Sequence, residues 1–194
     1  LEEILPLGTV LPARFGLVAN DLVQVASLIE VTLAQIGLEF EKVRGAVELG
    51  VRISFARQPA LEATLNADAA LRAQRDALRQ KGAEAHFAMA EFGGRLADAV
   101  DRRRGAAQRK LLAVLGPLAR NHVLRRPEDD TEVLRAEFLI DAEAQQAFQA
   151  AIATAAAGLN FAPGAEPAIQ IIGPVPMYNF VGLNLTFDND QAAA

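Results

Sequence analysis

Histidine and serine could supply acid-base or nucleophilic chemistry in this 194-residue sequence, and both residue types are scarce. Neither His86 nor His122 belongs to a Glu-x-x-His or His-x-x-x-His pattern, which predicts packing or surface roles instead of metal ligation. Ser27 lies in a predicted helix and Ser54 in a predicted strand, positions that disfavour a serine nucleophile. The sequence has no cysteine. We therefore expect no enzyme activity, no cofactor and no metal site.

Arginine clusters are the second candidate for function, because basic patches bind nucleic acid and anionic lipid. Arg102 to Arg104 and the arginines between Arg120 and Arg126 are the two clusters, and acidic residues interleave with or follow each of them. The formal net charge of the chain is -5. No uninterrupted apolar run approaches the ~18 residues of a membrane-spanning helix. The pattern predicts solvated, self-neutralised faces, with neither nucleic acid nor a lipid membrane as a partner.

Hydrophobic periodicity predicts two strands and two helices that would form the core. The strands are Val47 to Phe55 and Val133 to Ile140, each with alternating apolar residues. A helix is expected between an N-cap at Asn20 and Val43, and a second helix follows Asp141 and ends at Gly158. If the strands pair antiparallel, we expect Glu48 and Arg52 to meet Arg135 and Glu137 on their polar faces.

The stretch IIGPVPMYNFVGLNL, Ile171 to Leu185, contains two prolines in a strand-like pattern. Pro174 and Pro176 would remove two amide donors from the same edge of an extended chain. This predicts an edge strand with both prolines facing outward. The apolar alternation continues to Phe187, which suggests that the strand extends past the sheet as an arm.

The order of these elements predicts an α+β fold with a ferredoxin-like split βαβ core. The segment GTVLPARFG, Gly8 to Gly16, is expected to be the first strand, beside the proline-containing last strand. Residues 1–56 and 131–194 would form this core. Residues 57–130 are rich in good helix formers, and we expect them to form a helical hairpin inserted between the two central strands.

Three segments together resemble one protein family. LPARFG (Leu11 to Gly16), VRGAVELGVRISF (Val43 to Phe55) and GPVPMYNFVGL (Gly173 to Leu183) are similar, in order and spacing, to the gas vesicle accessory proteins of the GvpF/GvpL family. Val175 and Met177 depart from the family pattern, which more often has Trp and Pro there. The resemblance implies that most of the family's additional N-terminal α/β domain is missing from this sequence.

The resemblance also implies a function. It predicts a non-catalytic protein of the cytoplasm and the gas vesicle that binds the small hydrophobic shell protein GvpA and other gas vesicle accessory proteins during early assembly. We expect the helical insertion and the proline-containing segment to hold such a partner, with aromatic anchors giving a large contact area. The candidate contact residues are Gly173, Pro174, Pro176, Tyr178, Asn179 and Phe180.

Two alternatives remain open from the sequence. Tyr178 and Phe180 would equally well close the core under the edge strand, and this second role is favoured for Phe180. A ferredoxin-like sheet can also carry a small-ligand regulatory module, with a pocket between the sheet and the helical insertion.

Overall fold

The structure is a computed structural model that describes Ile4 and residues 8–13, 18–81 and 86–182, with only the backbone of Lys81. Its α-helices are α1 (Leu22–Val43), α2 (Arg57–Ala67), α3 (Ala69–Lys81), α4 (His86–Leu115) and α5 (Gln145–Ala157). Its strands are β1 (Ala46–Ser54), β2 (Asn121–Leu124), β3 (Glu132–Asp141) and β4 (Ala168–Val175). The predicted α+β class is confirmed.

The four strands form one antiparallel sheet in the order β2-β3-β1-β4. Strands β1 and β3 are central and pair from Ala46 opposite Asp141 to Ile53 opposite Leu134. The last strand, β4, lies at an edge and pairs with β1. The short strand β2 forms the other edge. The missing backbone donor of Pro174 in β4 is therefore tolerated, as expected for an edge strand.

One face of the sheet carries the main hydrophobic core. Leu49, Val51 and Ile53 of β1 are completely buried and cluster with Phe138 of β3. The helices α2, α4 and α5 contribute further buried residues to the same cluster: Ala60, Val100, Ala107, Leu111, Leu115, Phe148, Ile152 and Ala156. The strict alternation in β1 puts these strand residues on one face. The helical layer and the sheet thus share a single core.

Two of the expected strand assignments differ from the observed ones. Residues 8–13 contain no strand, and the remainder of the predicted first strand, residues 14–16, lies outside the described residues. The neighbour of the last strand is instead β1, and β2 is an additional strand that was not predicted. Its four residues are too few to show a clear alternation. The ferredoxin-like description stays a prediction, because it was based on a different first strand.

In its described residues, 57–81 and 86–130, the segment predicted to be a helical hairpin contains three α-helices and β2. The described part of α3 packs through Leu71, which is 2% exposed, and through a hydrogen bond between Gln74 and Arg95 of α4. Helix α4 reaches back to the sheet, where its last turns bury Leu111 and Leu115. The division of the chain into a core and an inserted subdomain at residues 57 and 130 stays a prediction.

The predicted charge pairing across β1 and β3 is wrong. Arg52 lies directly opposite Arg135, and Glu137 lies opposite Gly50. The carboxylate of Glu128 relieves the repulsion, because its Oε1 atom is 3.8 Å from Arg52 Nη1 and 2.5 Å from Arg135 Nη1. Glu48 is buried and not on a solvated face. The actual register differs from the assumed one, so each charged residue meets another neighbour.

Helix α1 forms where it was predicted, but its cap and its environment differ. Asp21, not Asn20, is the N-cap, and its Oδ1 atom accepts a hydrogen bond of 2.8 Å from the Gln24 amide. The apolar residues whose periodicity predicted this helix include three that are exposed: Leu22 at 85%, Ile29 at 45% and Leu33 at 62%. Only Glu39 and Val43 of this helix are buried. The apolar stripe of this helix therefore contributes little to the core of the described chain.

By length and composition alone, α1 would also be sufficient to span a membrane. The sequence has no uninterrupted apolar run of that length, because polar residues lie between the apolar residues of α1. The mean hydropathy over the helix is nevertheless apolar. One such helix near the N-terminus is weak evidence for a membrane span.

Candidate functional site

The proline-containing strand β4 leaves the sheet through an irregular pairing with β1. Glu48 pairs with Val175 and Gly50 pairs with Ile172, so Gly173 and Pro174 bulge away from the ladder opposite Leu49. Gly173 has a φ of +117°, and a Cβ atom there would lie 2.7 Å from the Glu48 carbonyl oxygen. Only glycine fits this backbone conformation and close approach.

The two prolines do not both face outward, which corrects the expectation for Pro176. Pro174 is exposed, whereas Pro176 is buried and lies just after the end of β4. The missing donor at Pro174 is tolerated at a bulge on an edge strand. Pro176 starts a turn, in which its carbonyl oxygen accepts a 2.8 Å hydrogen bond from the Tyr178 amide. We name residues 176–180 the tyrosine turn.

Within the tyrosine turn, neighbouring side chains have opposite environments. Met177 is completely buried in a second hydrophobic cluster with Val43, Ala46 and Leu139, on the face of the sheet opposite the main core. Phe180 packs against the edge of this cluster. Tyr178 is 53% exposed. The turn therefore anchors itself through Met177 and Phe180, and presents Tyr178 to solvent.

A buried carboxylate fixes the remaining residue of the turn. Glu48 of β1 is 2% exposed and accepts two hydrogen bonds from Asn179, at 2.9 Å from the backbone amide and at 2.5 Å from Nδ2. The Arg125 guanidinium donates to the side-chain oxygen of Asn179. The backbone amide, the Nδ2 group and the Oδ1 atom of Asn179 thus all form hydrogen bonds with Glu48 or Arg125. This arrangement is the glutamate clasp, formed by Glu48, Asn179 and Arg125.

Burial raises the pKa of the Glu48 carboxyl above its ordinary value. The hydrogen bonds from Asn179 oppose this effect, the negative charge of Glu137 adds to it, and Arg125 opposes it. Desolvation is the largest of these causes, since the charged form loses its hydration when it is buried. The clasp thus carries an electrostatic cost that packing and hydrogen bonding of the turn must offset.

The sequence identified Asn179 as a candidate contact residue, but not its two partners. Glu48 is one of several polar residues at alternate positions of β1, and nothing in its sequence environment separates it from the solvated ones. Arg125 lies in a cluster interpreted as a solvated face. A buried glutamate opposite a turn becomes apparent only when the strands are paired, because the chain separates Glu48 from Asn179 by more than half its length.

Arg103 has a structural role that its sequence context does not indicate. The structure corrects its assignment to a solvated face. Its guanidinium donates hydrogen bonds to the carbonyl oxygens of Ala60, Asn160 and Phe161 and to the Thr64 hydroxyl, at 2.7 to 3.1 Å. It also lies over the Phe161 ring, 5.3 Å from the centroid. Arg103 therefore ties α4 to α2 and to the segment after α5, which is a structural role.

The histidines lie in separate parts of the fold. His86 is exposed at the start of α4, and His122 of β2 stacks on Phe138 with 5.8 Å between the ring centroids. No group of three or more histidine, aspartate and glutamate side chains that could hold a metal ion occurs among the residues described by the structure.

A surface depression lies between β1, β4 and the loop before β3. It is open to solvent and is lined by Arg52, Ser54, Glu128, Asp129, Glu132, Ala168, Ile169 and Gln170. Several of these groups already bond one another: Glu128 pairs with Arg52, and Asp129 accepts a hydrogen bond from the backbone amide of Glu132. It is not an enclosed apolar cavity of the kind that typically holds a small ligand.

Comparisons with known proteins agree on one family. The family model described as "Gas vesicle synthesis protein GvpL/GvpF" matches residues 1–182. The crystal structure of gas vesicle protein GvpF from Microcystis aeruginosa superposes with a TM-score of 0.69 at 24% identity, covering 94% of this chain and 74% of that chain. The crystal structure of GvpF from Anabaena sp. PCC7120 gives 0.76 at 23% identity, covering 94% and 76%. No curated protein matches the sequence. The two crystal structures support the fold.

Proposed function

Because the chain belongs to the gas vesicle synthesis protein GvpL/GvpF family, we propose that it is a non-catalytic assembly factor of the gas vesicle. In this proposal it works in the cytoplasm and at the growing vesicle. It binds the small shell protein GvpA, and other accessory proteins, before the shell polymerises. The family membership supports the gas vesicle role, and the binding partner is our inference.

One observation carries the choice of the binding site: the half-exposed Tyr178 is held between two anchored neighbours. Met177 is buried on one side and Asn179 is fixed by the glutamate clasp on the other. A tyrosine on a preorganised turn gives a large apolar contact and one hydroxyl at low entropic cost. Phe180 also helps to hold the turn in place, because it packs against the second hydrophobic cluster.

The tip of the α3–α4 pair offers a second apolar contact. Phe87 is 88% exposed and Met89 is 55% exposed, close to the start of α4. Exposed aromatic and methionine side chains are typical of surfaces that accept a hydrophobic partner. We infer that the tip and the tyrosine turn both contribute to holding the shell protein.

Capture of purified GvpA on the immobilised chain tests this proposal. We expect the intact chain to retain GvpA, and Tyr178→Ala to weaken retention by about tenfold, as is common for a central aromatic contact. Val114→Ala is the matched control, since Val114 is 48% exposed and lies on α4, across the sheet from the turn. Phe87→Ser tests the tip in the same way.

Deleting residues 57–130 is not a suitable test, because this segment supplies buried core residues and β2. Point variants leave that core in place. Unchanged retention by Tyr178→Ala would overturn the role of the turn. If the intact chain captures no GvpA at all, the proposed shell binding is wrong for this chain.

The alternative of a small-ligand regulatory module has less support. The open depression beside β4 is polar and its charged groups are internally paired. A thermal-shift screen against metabolites checks it, because a ligand module should gain several degrees with one compound.

A further inference from the structure

Helix α1 carries a heptad repeat that the described residues of the chain leave largely uncovered. If Ala26, Leu33 and Phe40 are assigned to position a, then Leu22, Ile29, Ile36 and Val43 fall at position d. All seven positions are apolar over three consecutive heptads. We name these seven residues the α1 seam. A sustained a/d repeat is the pattern of a helix that packs against another helix in a coiled coil.

Most of the α1 seam has no cover within the described chain. Leu22 is 85% exposed, Leu33 is 62% exposed and Ile29 is 45% exposed. Only Val43, at the end next to the sheet, is fully buried. An exposed leucine and isoleucine row of this length is unusual for a surface that faces only water.

The charges beside the seam favour a basic partner. Glu30 and Glu39 are the two charged residues among the flanking e and g positions, and no basic residue of α1 lies between them. Glu39 is engaged by Lys42, whereas Glu30 is exposed near the middle of the seam. Residues at e and g select partners through charge complementarity. A helix with lysine or arginine facing Glu30 would therefore match this surface.

The same charges disfavour a second copy of this chain as the occupant. In an antiparallel pair of α1 helices the two Glu30 residues would lie beside each other, which is destabilising. In a parallel pair each Glu30, at an e position, would face Val25 at a g position of the other copy, which leaves the carboxylate without a charged partner. An anionic lipid surface is disfavoured as well, because it would repel Glu30.

We propose that the α1 seam is a docking site for a partner helix that has an apolar heptad seam and basic flanking residues. The site is separate from the tyrosine turn, and its test does not involve the shell protein. If the chain does not bind the shell protein, the docking proposal for the α1 seam is unaffected. If the seam binds no helix, the shell-binding proposal is unaffected.

A synthetic peptide of three heptads, with Ile at a, Leu at d and Lys at every e and g position, is a direct probe. Its lysines keep it from pairing with itself. We expect the intact chain to bind this peptide in a fluorescence anisotropy titration. A peptide with Glu in place of each Lys should bind about fivefold more weakly.

Variants of α1 locate the contact. Leu33→Asp should reduce affinity by about tenfold or more, because it puts a charge into the seam. Leu38→Asp is the matched control: Leu38 is 67% exposed but lies at an f position, away from the seam, and its change should leave affinity within about twofold. Both leucines are exposed, so both variants should keep the circular dichroism spectrum of the parent.

Four results would overturn the proposal. The first is the absence of peptide binding at high peptide concentration, and the second is an equal loss of affinity in Leu33→Asp and Leu38→Asp. The third is a dimer of the chain alone, seen in sedimentation velocity and dissociated by Leu33→Asp. The fourth is binding to vesicles of phosphatidylcholine and phosphatidylglycerol that depends on the seam, without binding of the peptide.

Discussion

At the residue scale, the site depends on a few positions with strict requirements. Gly173 adopts a backbone conformation that side chains disfavour, and Glu48 is a buried carboxylate that bonds a single asparagine. The sequence placed Gly173 and Asn179 in a candidate site because of their proline-containing context. It did not identify Glu48, because this residue is buried only when the tyrosine turn packs over β1, and the strand sequence does not show that contact.

Replacement of Gly173 by alanine should destabilise the protein. The new Cβ atom would lie 2.7 Å from the Glu48 carbonyl oxygen, and the φ of +117° would be strained. We expect a loss of roughly 1 to 3 kcal/mol in the free energy of unfolding, measured by urea denaturation. Gly182→Ala is the control, since a Cβ atom at Gly182 would meet nothing within 4 Å and its φ is not positive. If the two variants are equally stable, alanine at position 173 does not strain the backbone as proposed.

The buried Glu48 should make stability depend on pH. Its pKa is raised in the folded state above the ordinary value of 4.5, so the folded protein binds this proton more tightly than the unfolded chain. Its contribution to the free energy of unfolding is therefore fully present below about pH 4.5 and is lost as the pH rises through the folded pKa. Glu48→Gln lacks this titration.

Denaturation of the parent and Glu48→Gln at a series of pH values measures the effect. The stability of the parent relative to the variant should fall with increasing pH and then become constant. In a second pair of proteins that both carry Glu137→Gln, the fall should end at a lower pH, because Glu137 helps to raise the Glu48 pKa. A relative stability that increases with pH would show that the hydrogen bonds, and not desolvation, dominate.

At the element scale, periodicity predicted strands β1 and β3 and helices α1 and α5 within a few residues. It predicted β4 but not its end, because the strand stops at Val175 and a turn follows in place of the expected continuation; residues 183–187 of the expected arm lie outside the described residues. Strand β2 was missed because it has only four residues. The apolar stripe of α4 is visible in the sequence, but the surface on which it packs is not, because periodicity does not identify the partner of a stripe. The polar link from α4 to α2 and to the segment after α5 runs through Arg103, which composition alone classifies as a surface residue.

Arg103→Ala should therefore loosen the helical layer. The change removes four hydrogen bonds, and the carbonyl oxygens of Asn160 and Phe161 lose the donor that Arg103 supplies. We expect a loss of roughly 1 to 3 kcal/mol in the free energy of unfolding. Arg102→Ala, the exposed neighbour in the same helix, should change it by less than about 0.5 kcal/mol. If both variants unfold alike, the network of Arg103 does not stabilise the fold.

At the scale of the whole molecule, the sheet has two unlike faces. One face packs on α2, α4 and α5 in the main core, and the other carries the small cluster around Met177 and the glutamate clasp. Sequence patterns find the first face readily, because its apolar residues alternate. They cannot find the second, since it is assembled from the turn after β4, the start of β1 and one residue of β3.

This asymmetry predicts a gradient of local stability, in which α1 is the least protected long helix. The central strands β1 and β3 are buried and bonded on both sides, whereas α1 buries only Glu39 and Val43. Backbone amides of residues 22–36 should exchange with solvent faster than those of β1 and β3 in a hydrogen-exchange experiment. Addition of the basic heptad peptide should slow exchange across residues 22–36 and leave β1 and β3 unchanged. Equally slow exchange of α1 and the central strands in the chain alone would mean that the seam is already covered in solution, which would contradict its role as a free docking surface.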